Sequence, residues 1–491
     1  MRLRLPPGLL VPTLVSAGVL VSCGAGMLVC AGIGALADGR ELWALIAPGL
    51  ACGALGGGLI AVLDTRAARA ITIRPTTGFA AVTCAWVVAA AAAAVPLLAA
   101  GTLTSPLHAY FEAMSGFTTA GASVITDLEA QPDGILMWRC ATQWLGGVGI
   151  VVLVVAVAPV SGPALQRAFY AEMSGVTADR LTPRIVDTAK IIAGIYVALT
   201  AAGALAYLLA GMGPFDALAH ALTTLATGGF STREQSLAAF DSQAIEIVAI
   251  VGMILGAINF AFYWRAAQGR PARPQLAEIK AFAAILVGVS AVVVASLLVS
   301  EDVEGLGTAL REGVFSVVSI GTSTGFTTAD FDGWNQFVRL GLLLLMFVGG
   351  CAGSTAGGMK VIRVVLLGVI AKQEVQRQLQ PAGMQVLRFG GRAFPEKVRA
   401  TLLGFALIYA TVFLVGALAF ALAGIGFDSA LSAAAASINI VGPGLGEIGA
   451  AESYAALPPG ALIVSMLLML IGRLEVFTVV ALLAAALRLR R

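Results

Sequence analysis

Long apolar runs alternate with short polar connectors along almost the whole chain. Stretches long enough to cross a bilayer, about 20 residues each, lie at 9–36, 42–63, 77–100, 134–158, 186–210, 241–264, 280–300, 334–372, 398–423 and 460–487. About ten spans are therefore predicted. An all-helical bundle follows, because lipid cannot satisfy free backbone groups. A second pattern recurs between the spans. Four times a short apolar helix leads into a small-residue segment built around one glycine, at Gly121, Gly229, Gly325 and Gly442. These glycines stand 108, 96 and 117 residues apart, which marks an internal repeat.

The short helices are predicted to begin near Pro106, Pro214, Leu310 and Phe427, each fifteen residues before its glycine. Proline suits the first turn of a helix. About twelve helical residues cover roughly 18 Å, too little for a hydrocarbon core of about 30 Å. Such helices must be re-entrant, with their C-terminal ends inside the membrane, where the helix dipole favours a cation. The expected fold is an all-α polytopic membrane protein. An N-terminal two-helix hairpin (1–70) precedes four span–pore helix–span units (71–160, 161–270, 271–385 and 386–491) in pseudo-fourfold arrangement. Four such units around an axis make a pore lined by backbone carbonyls, the means by which proteins strip water from potassium or sodium.

The segments read Thr118-Thr119-Ala120-Gly121, Ala226-Thr227-Gly228-Gly229, Thr322-Ser323-Thr324-Gly325 and Asn439-Ile440-Val441-Gly442. Small or β-branched residues before a glycine suit an extended backbone, and glycine accepts positive φ without steric cost. One such segment is weak support, since glycine commonly serves helix packing in membranes. Four at matching places in four units are strong.

The eighth span, 334–372, has 39 residues, about 58 Å if continuously helical. It must break, and the break is written as Gly349-Gly350-Cys351-Ala352-Gly353-Ser354-Thr355-Ala356-Gly357-Gly358, followed by Met359 and Lys360. Irregular backbone at membrane depth is tolerated where it is buried in protein or lines a cavity. This loop is expected below the candidate filter as an obstruction; tight helix packing is the alternative. Arg473 and Glu475 interrupt the last span. A charge there costs at least ~2.5–3.5 kcal/mol on insertion scales, so Arg473 is expected beside the ion path, or else paired with a carboxylate or carbonyls. Arg139 and Arg339, near the outer ends of their spans, are expected to snorkel.

The chain is 59% hydrophobic and 12% charged, against about 25% charge in soluble domains. Of its 30 Lys and Arg, 24 fall at the termini or in the connectors 64–76, 159–190, 265–280 and 360–399. The positive-inside rule then puts both termini in the cytoplasm. By the same placement 19 of 27 Asp and Glu lie outside, a distribution expected to concentrate cations at a pore mouth. The six cysteines stand singly and suit packing. Residues 1–23 imitate a short signal peptide, but the apolar run continues, so an uncleaved first span is expected.

Three motifs fail on context. Gly321-Thr322-Ser323-Thr324-Gly325 has the nucleophile-elbow spacing, but it follows a short helix, and the two histidines, His108 and His220, are expected to begin short helices of other units. Residues 353–360 lack the glycine and hydroxyl residue of a phosphate loop. Gly442-Pro443-Gly444-Leu445-Gly446 follows a helix, unlike a dinucleotide fingerprint. An enzyme is not expected, and nothing points to nucleic acid. The basic connector 373–396 is either a solvated link or a docking surface.

The signature Gln143-Trp144-Leu145-Gly146-Gly147-Val148-Gly149, the stretch 349–363, the four glycine segments and Gly472-Arg473-Leu474-Glu475 resemble the Trk/Ktr/HKT superfamily of cation transporters, most closely its bacterial TrkH branch. The resemblance spans essentially the whole chain. It implies potassium uptake across a bacterial inner membrane through a channel-like pore. Ions would be held by the carbonyls of Thr119, Ala120, Thr227, Gly228, Ser323, Thr324, Ile440 and Val441. It implies gating by Gly349, Gly350, Gly353, Ser354, Thr355, Gly357, Gly358, Lys360 and Arg473. It also implies a homodimer set in lipid and a cytosolic, TrkA-like nucleotide-binding ring; potassium is cargo and the chain itself holds no cofactor. One departure is Ile440, where relatives often carry a second asparagine. If the side chain lies behind the filter it alters support; if it meets the ion path it alters discrimination. Alternatives are a less selective potassium and sodium pathway, or a proton- or sodium-coupled symporter, for which Glu475 is the one qualifying buried carboxylate.

Overall fold

The computed structural model describes residues 5–63, 75–149, 185–270, 273–380, 386–474 and 476. Much of the basic connector 159–190 and Glu475 lie outside the described residues. Helices form nearly all regular structure. Among the described residues, the sheet is a two-residue antiparallel ladder, β1 (Arg388–Phe389) against β2 (Arg392–Ala393), in the connector expected to be either a solvated link or a docking surface.

Among the described residues six helices are long and apolar enough to cross a membrane, including α1 (Pro7–Ala37), α2 (Trp43–Val62), α3 (Pro75–Ala99) and α6 (Ile185–Leu209). The others are α10 (Arg273–Val299) and α14 (Glu396–Leu422). Helix α1 runs without interruption past Cys23. It pairs with α2 through small residues: a Cβ on Gly24 would lie 2.5 Å from the Gly49 carbonyl, and one on Gly56 2.5 Å from that of Ala17. This is the close backbone approach that glycine permits between membrane helices.

Four short helices are α4 (Pro106–Thr118), α7 (Pro214–Leu225), α11 (Gly305–Gly321) and α15 (Phe427–Asn439). Three begin at the expected residue. The third starts at Gly305, five residues before the expected Leu310, with Gly305 itself at φ 77° where the chain turns into the helix. Each follows a long span and precedes an inner helix: α5 (Asp133–Gly147), α8 (Gln243–Gly256), α12 (Gln336–Met346) and α16 (Pro459–Arg473).

Two of these inner helices depart from expectation, α8 and α12; the expected spans 134–158 and 460–487 continue from α5 and α16 into residues outside the described ones. Those two extend only 14 and 11 residues before the helix ends. The span expected at 241–264 is broken: α8 and α9 (Phe260–Ala267) meet at an angle of 89°. Asn259 causes the turn locally, its side chain capping the Ala261 N–H and so starting a new helix. Glycine explains the register of three of these ends. A Cβ on Gly146, Gly256 or Gly472 would meet the carbonyl of Phe117, Leu225 or Ile438 at 2.0, 2.9 or 2.1 Å. Each inner helix is thereby pressed onto the last turn of its own short helix.

Candidate ion-conduction site

The four short helices end in the same way. The Ala120, Gly228 and Thr324 N–H groups donate to carbonyls five residues back, and Thr119, Thr227 and Ser323 donate three residues back. Val441 repeats the longer bond to Ala436. This is Schellman-type capping, which needs a left-handed residue just past the helix. The residue there is not glycine. Thr119, Thr227, Ser323 and Ile440 carry φ of 60°, 50°, 55° and 58°. Positive φ is unusual in β-branched residues, and such outliers gather at functional sites. Two residues on, Gly121, Gly229, Gly325 and Gly442 again have positive φ, between 78° and 89°.

These glycines close a ring. A Cβ on Gly121 would meet the Gly228 carbonyl oxygen at 2.2 Å, one on Gly229 that of Thr324 at 2.1 Å, one on Gly325 that of Val441 at 2.0 Å, and one on Gly442 that of Ala120 at 2.6 Å. Each unit backs onto the next in the order one, two, three, four, one. No side chain fits between a glycine and its neighbour's carbonyl. All four glycines line one cavity of about 330 Å³.

Not every predicted residue lies at this ring in the same sense. The hydroxyls of Thr118 and Thr322 turn back to Met114 and Val318 carbonyls in their own helices. The Asn439 side chain is held behind the segment, accepting from Tyr409 Oη at 2.6 Å and donating to the Ala435 carbonyl. Ile440 is buried and packs in the apolar core.

The loop after α12 meets the base of three of the four segments directly, and Arg473 links it to the remaining one. The Gly357 N–H donates to Ser323 Oγ at 2.5 Å and the Gly358 N–H to the Asn439 carbonyl at 3.1 Å. Thr227 Oγ1 donates to Thr355 Oγ1 at 3.1 Å. Arg473 completes the set, reaching Thr119 Oγ1 at 3.2 Å, the Thr355 carbonyl at 3.0 Å and the Gly146 carbonyl at 2.6 Å. Of the two readings of Arg473, its partners are thus oxygens of carbonyls and a hydroxyl. The three hydroxyl-bearing left-handed residues each touch the loop or Arg473. At the fourth, Ile440 has no hydroxyl and the main chain of Asn439 serves instead.

The loop is itself tied to the bend between α8 and α9. The Cys351 N–H donates to the Ala257 carbonyl at 2.8 Å, Phe260 N–H to Gly353, and Thr355 Oγ1 to the carbonyls of Leu225 and Gly256 at 3.0 Å each. A Cβ on Gly349 would meet the Gly357 carbonyl at 2.1 Å, so the loop folds on itself. Lys360 closes it by donating to the Ala356 carbonyl. Gly353 and Ser354 sit at the far tip: Gly353 packs on Asn259, and Ser354 bonds the Cys351 carbonyl, away from the glycine ring.

Several residues escaped sequence reasoning. Arg139 does not snorkel: it is 2% exposed and forms an ion pair at 2.7 Å with Glu112, 1% exposed. Arg339 pairs with Asp332 at 2.8 Å. Against the expectation of a single buried carboxylate at residue 475, which lies outside the described residues, Glu112, Glu246 and Glu278 are all buried. Glu278, on α10, accepts the Ala352 N–H at 2.7 Å and so holds the loop from below. His220 lies in the middle of α7, fully buried, bonded to the Asp216 carbonyl and Ser231 Oγ. The cavity mouth carries Glu234 and Glu452, but also Arg139 and Arg233, so it is more balanced than net counting implied. A signal for the Arg139–Glu112 pair existed: each is a charge inside an apolar run, and such charges need partners.

Comparison with known proteins gives a consistent picture. The family model for TrkH, described as a cation transport protein, matches residues 48–488. The Trk system potassium uptake protein TrkH of Vibrio parahaemolyticus is 40% identical over 412 residues, covering 83% of this chain and 84% of that protein. Its namesake in Halomonas elongata is 39% identical over 457 residues, covering 92% and 93%. The crystal structure of the potassium transporter TrkH from Vibrio parahaemolyticus superposes with a TM-score of 0.86 at 36% identity, covering 96% of this chain and 98% of that one.

Proposed function

This chain belongs to the TrkH family of cation transport proteins, and on that premise we propose that it takes up potassium through a carbonyl-lined filter closed by the loop 349–358. As a member of a transport family it is not an enzyme. The observation that most supports the filter reading is the closed ring of glycines, each against the carbonyl of the next unit. It argues for four chain segments, 71–160, 161–270, 271–385 and 386–491, set about one axis after a hairpin at 1–70, with about ten spans in all.

The mechanism follows from the geometry. A cation enters the outer cavity beside Glu234 and Glu452. The carbonyls of residues 119–120, 227–228, 323–324 and 440–441 replace its water, as fixed dipoles do in selective pores. The negative ends of four helix dipoles point at the same place. Below the ring the loop blocks exit, and Arg473 sets a positive charge that discourages a cation from resting there. Membrane potential supplies about 2.3 kcal/mol per 100 mV for each monovalent ion. Opening withdraws the loop from Ser323, Thr227 and Asn439.

The supporting assembly is part of the same reading: a homodimer in a bacterial inner membrane, both termini cytoplasmic. The basic connector beyond α13 (Val361–Leu379) receives a cytosolic nucleotide-binding ring. The test is flux in liposomes at imposed voltage, with and without ion gradients. Voltage-driven potassium flux without a proton or sodium gradient is expected. Flux that requires either gradient overturns the pore in favour of coupled transport. Comparable sodium flux under the same voltage makes it a less selective pathway.

A further inference from the structure

The ring of four units is equal in backbone but not in what stands behind it. Unit two alone has glycine immediately before its ring glycine; units one, three and four carry Ala120, Thr324 and Val441 there. The reason lies in another unit. A Cβ on Gly228 would fall 2.5 Å from Gln143 Cδ. Gln143, on α5 of unit one and fully buried, occupies the space that a side chain fills elsewhere.

Gln143 also makes two directed bonds to this segment. Its Nε2 donates to the Gly228 carbonyl at 2.6 Å, and its Oε1 accepts the Phe230 N–H at 3.0 Å. The opposed donor and acceptor fix the amide's orientation, since either bond alone leaves a flip open. One turn earlier on the same helix face, Arg139 donates to the Ser231 carbonyl at 3.1 Å and lies 4.1 Å over the Phe230 ring. Glu112 holds Arg139 in turn. The segment 228–231 is thus gripped at four points by one helix of the preceding unit.

We infer that Gln143 is a specificity-determining positioning residue, acting on the ion through the Gly228 carbonyl. This rests on the carbonyl-filter reading. The Gly228 oxygen holds the same place beside Gly121 that its three counterparts hold beside their neighbours. A carbonyl oxygen has two lone pairs, so one goes to Gln143 and one remains for the ion. Sodium is smaller than potassium, and gripping it requires carbonyls to move inward. A carbonyl tethered to a doubly bonded buried amide resists that movement. Gln143 therefore disfavours sodium without touching it.

The test uses the full chain in liposomes and reads the potassium-to-sodium permeability ratio. Gln143→Met keeps the size and loses both bonds; Gln143→Glu keeps the acceptor for Phe230 and loses the donor. Both are expected to lower the ratio by about tenfold, the scale of one hydrogen bond, while potassium flux stays within a few-fold. Gly228→Ala alone should block flux by collision with Gln143. The double variant Gln143→Ala with Gly228→Ala rebuilds the unit-one arrangement and should restore flux, at the lowered ratio. An unchanged ratio in both Gln143 variants, where Gly121→Ser does change it, overturns the role of Gln143 and leaves the filter standing. An unchanged ratio in all three overturns the filter and this inference with it. Failure of the double variant to restore flux in folded protein overturns the spatial pairing.

Discussion

The glycine ring and the left-handed residues two positions below it share a backbone and differ in everything else. At the upper ring the same contact occurs four times, glycine against carbonyl. At the lower level Thr119 meets Arg473, Thr227 meets Thr355, Ser323 meets Gly357, and the fourth unit offers only the Asn439 carbonyl. On the proposed filter role, a bare spherical cation requires equal dipoles around it, which would keep the upper contacts alike. One loop from one unit, with Arg473 from another, can reach four units only by four different bonds, which frees the lower contacts to diverge.

The upper ring should fail in an order set by its clearances. Overpacking costs about 1–3 kcal/mol, roughly ten- to a hundredfold in rate, and positive φ adds to it. Gly325→Ala, with its Cβ at 2.0 Å from the Val441 carbonyl, is expected to abolish potassium flux. Gly442→Ala, at 2.6 Å from that of Ala120, should be mildest. Equal loss in both variants would mean that the contacts do not define the ring.

The lower level should respond in the opposite direction. A Cβ on Gly357 would meet the Asn439 carbonyl at 2.0 Å, so Gly357→Ala pushes the loop off its seat. Basal flux without any partner is expected to rise by about tenfold on the same scale; a fall in folded protein would make the loop a support of the path. Glu278→Gln weakens the anchor of Ala352 by one charge-assisted bond. Its effect should be smaller, about a few-fold rise in basal flux.

The smallest expected effect lies outside the membrane. Asp302 is held below its ordinary value of 3.8, first by the Ser300 hydroxyl and then by Asn335 at the start of α12. A depressed carboxylate stabilises the fold above its unfolded value and loses that contribution only as pH falls through the folded one. Asp302→Asn should therefore lower the melting temperature slightly at neutral pH, with the difference from the parent vanishing in acid. A gap that persists below that range would assign the effect to packing.

The sequence made the repeat legible because glycine, proline and apolar length are local signals. Gly121, Gly229, Gly325 and Gly442, three of four helix starts and the break at 349–358 all follow from them. The bend at residues 257–259 was hidden because its flanks remain apolar and Asn259 alone marks it. The hold of Gln143 on Gly228 joins residues 85 apart, and no periodicity reports such a contact. Arg139 looked like an interfacial charge because its partner Glu112 lies 27 residues away on another helix.

The bend between α8 and α9 leaves the Gly256 and Ala257 carbonyls without helical donors, and the loop supplies them: Ala257 receives Cys351 and Gly256 receives Thr355, whose hydroxyl also reaches the Leu225 carbonyl at the end of α7. Lifting the loop therefore strips partners from three oxygens at membrane depth, where an unsatisfied carbonyl is costly. Only water can replace them. On the proposal that this loop is the gate, it cannot open dry: the same movement that clears the path draws in the first waters of the column through which the ion would leave.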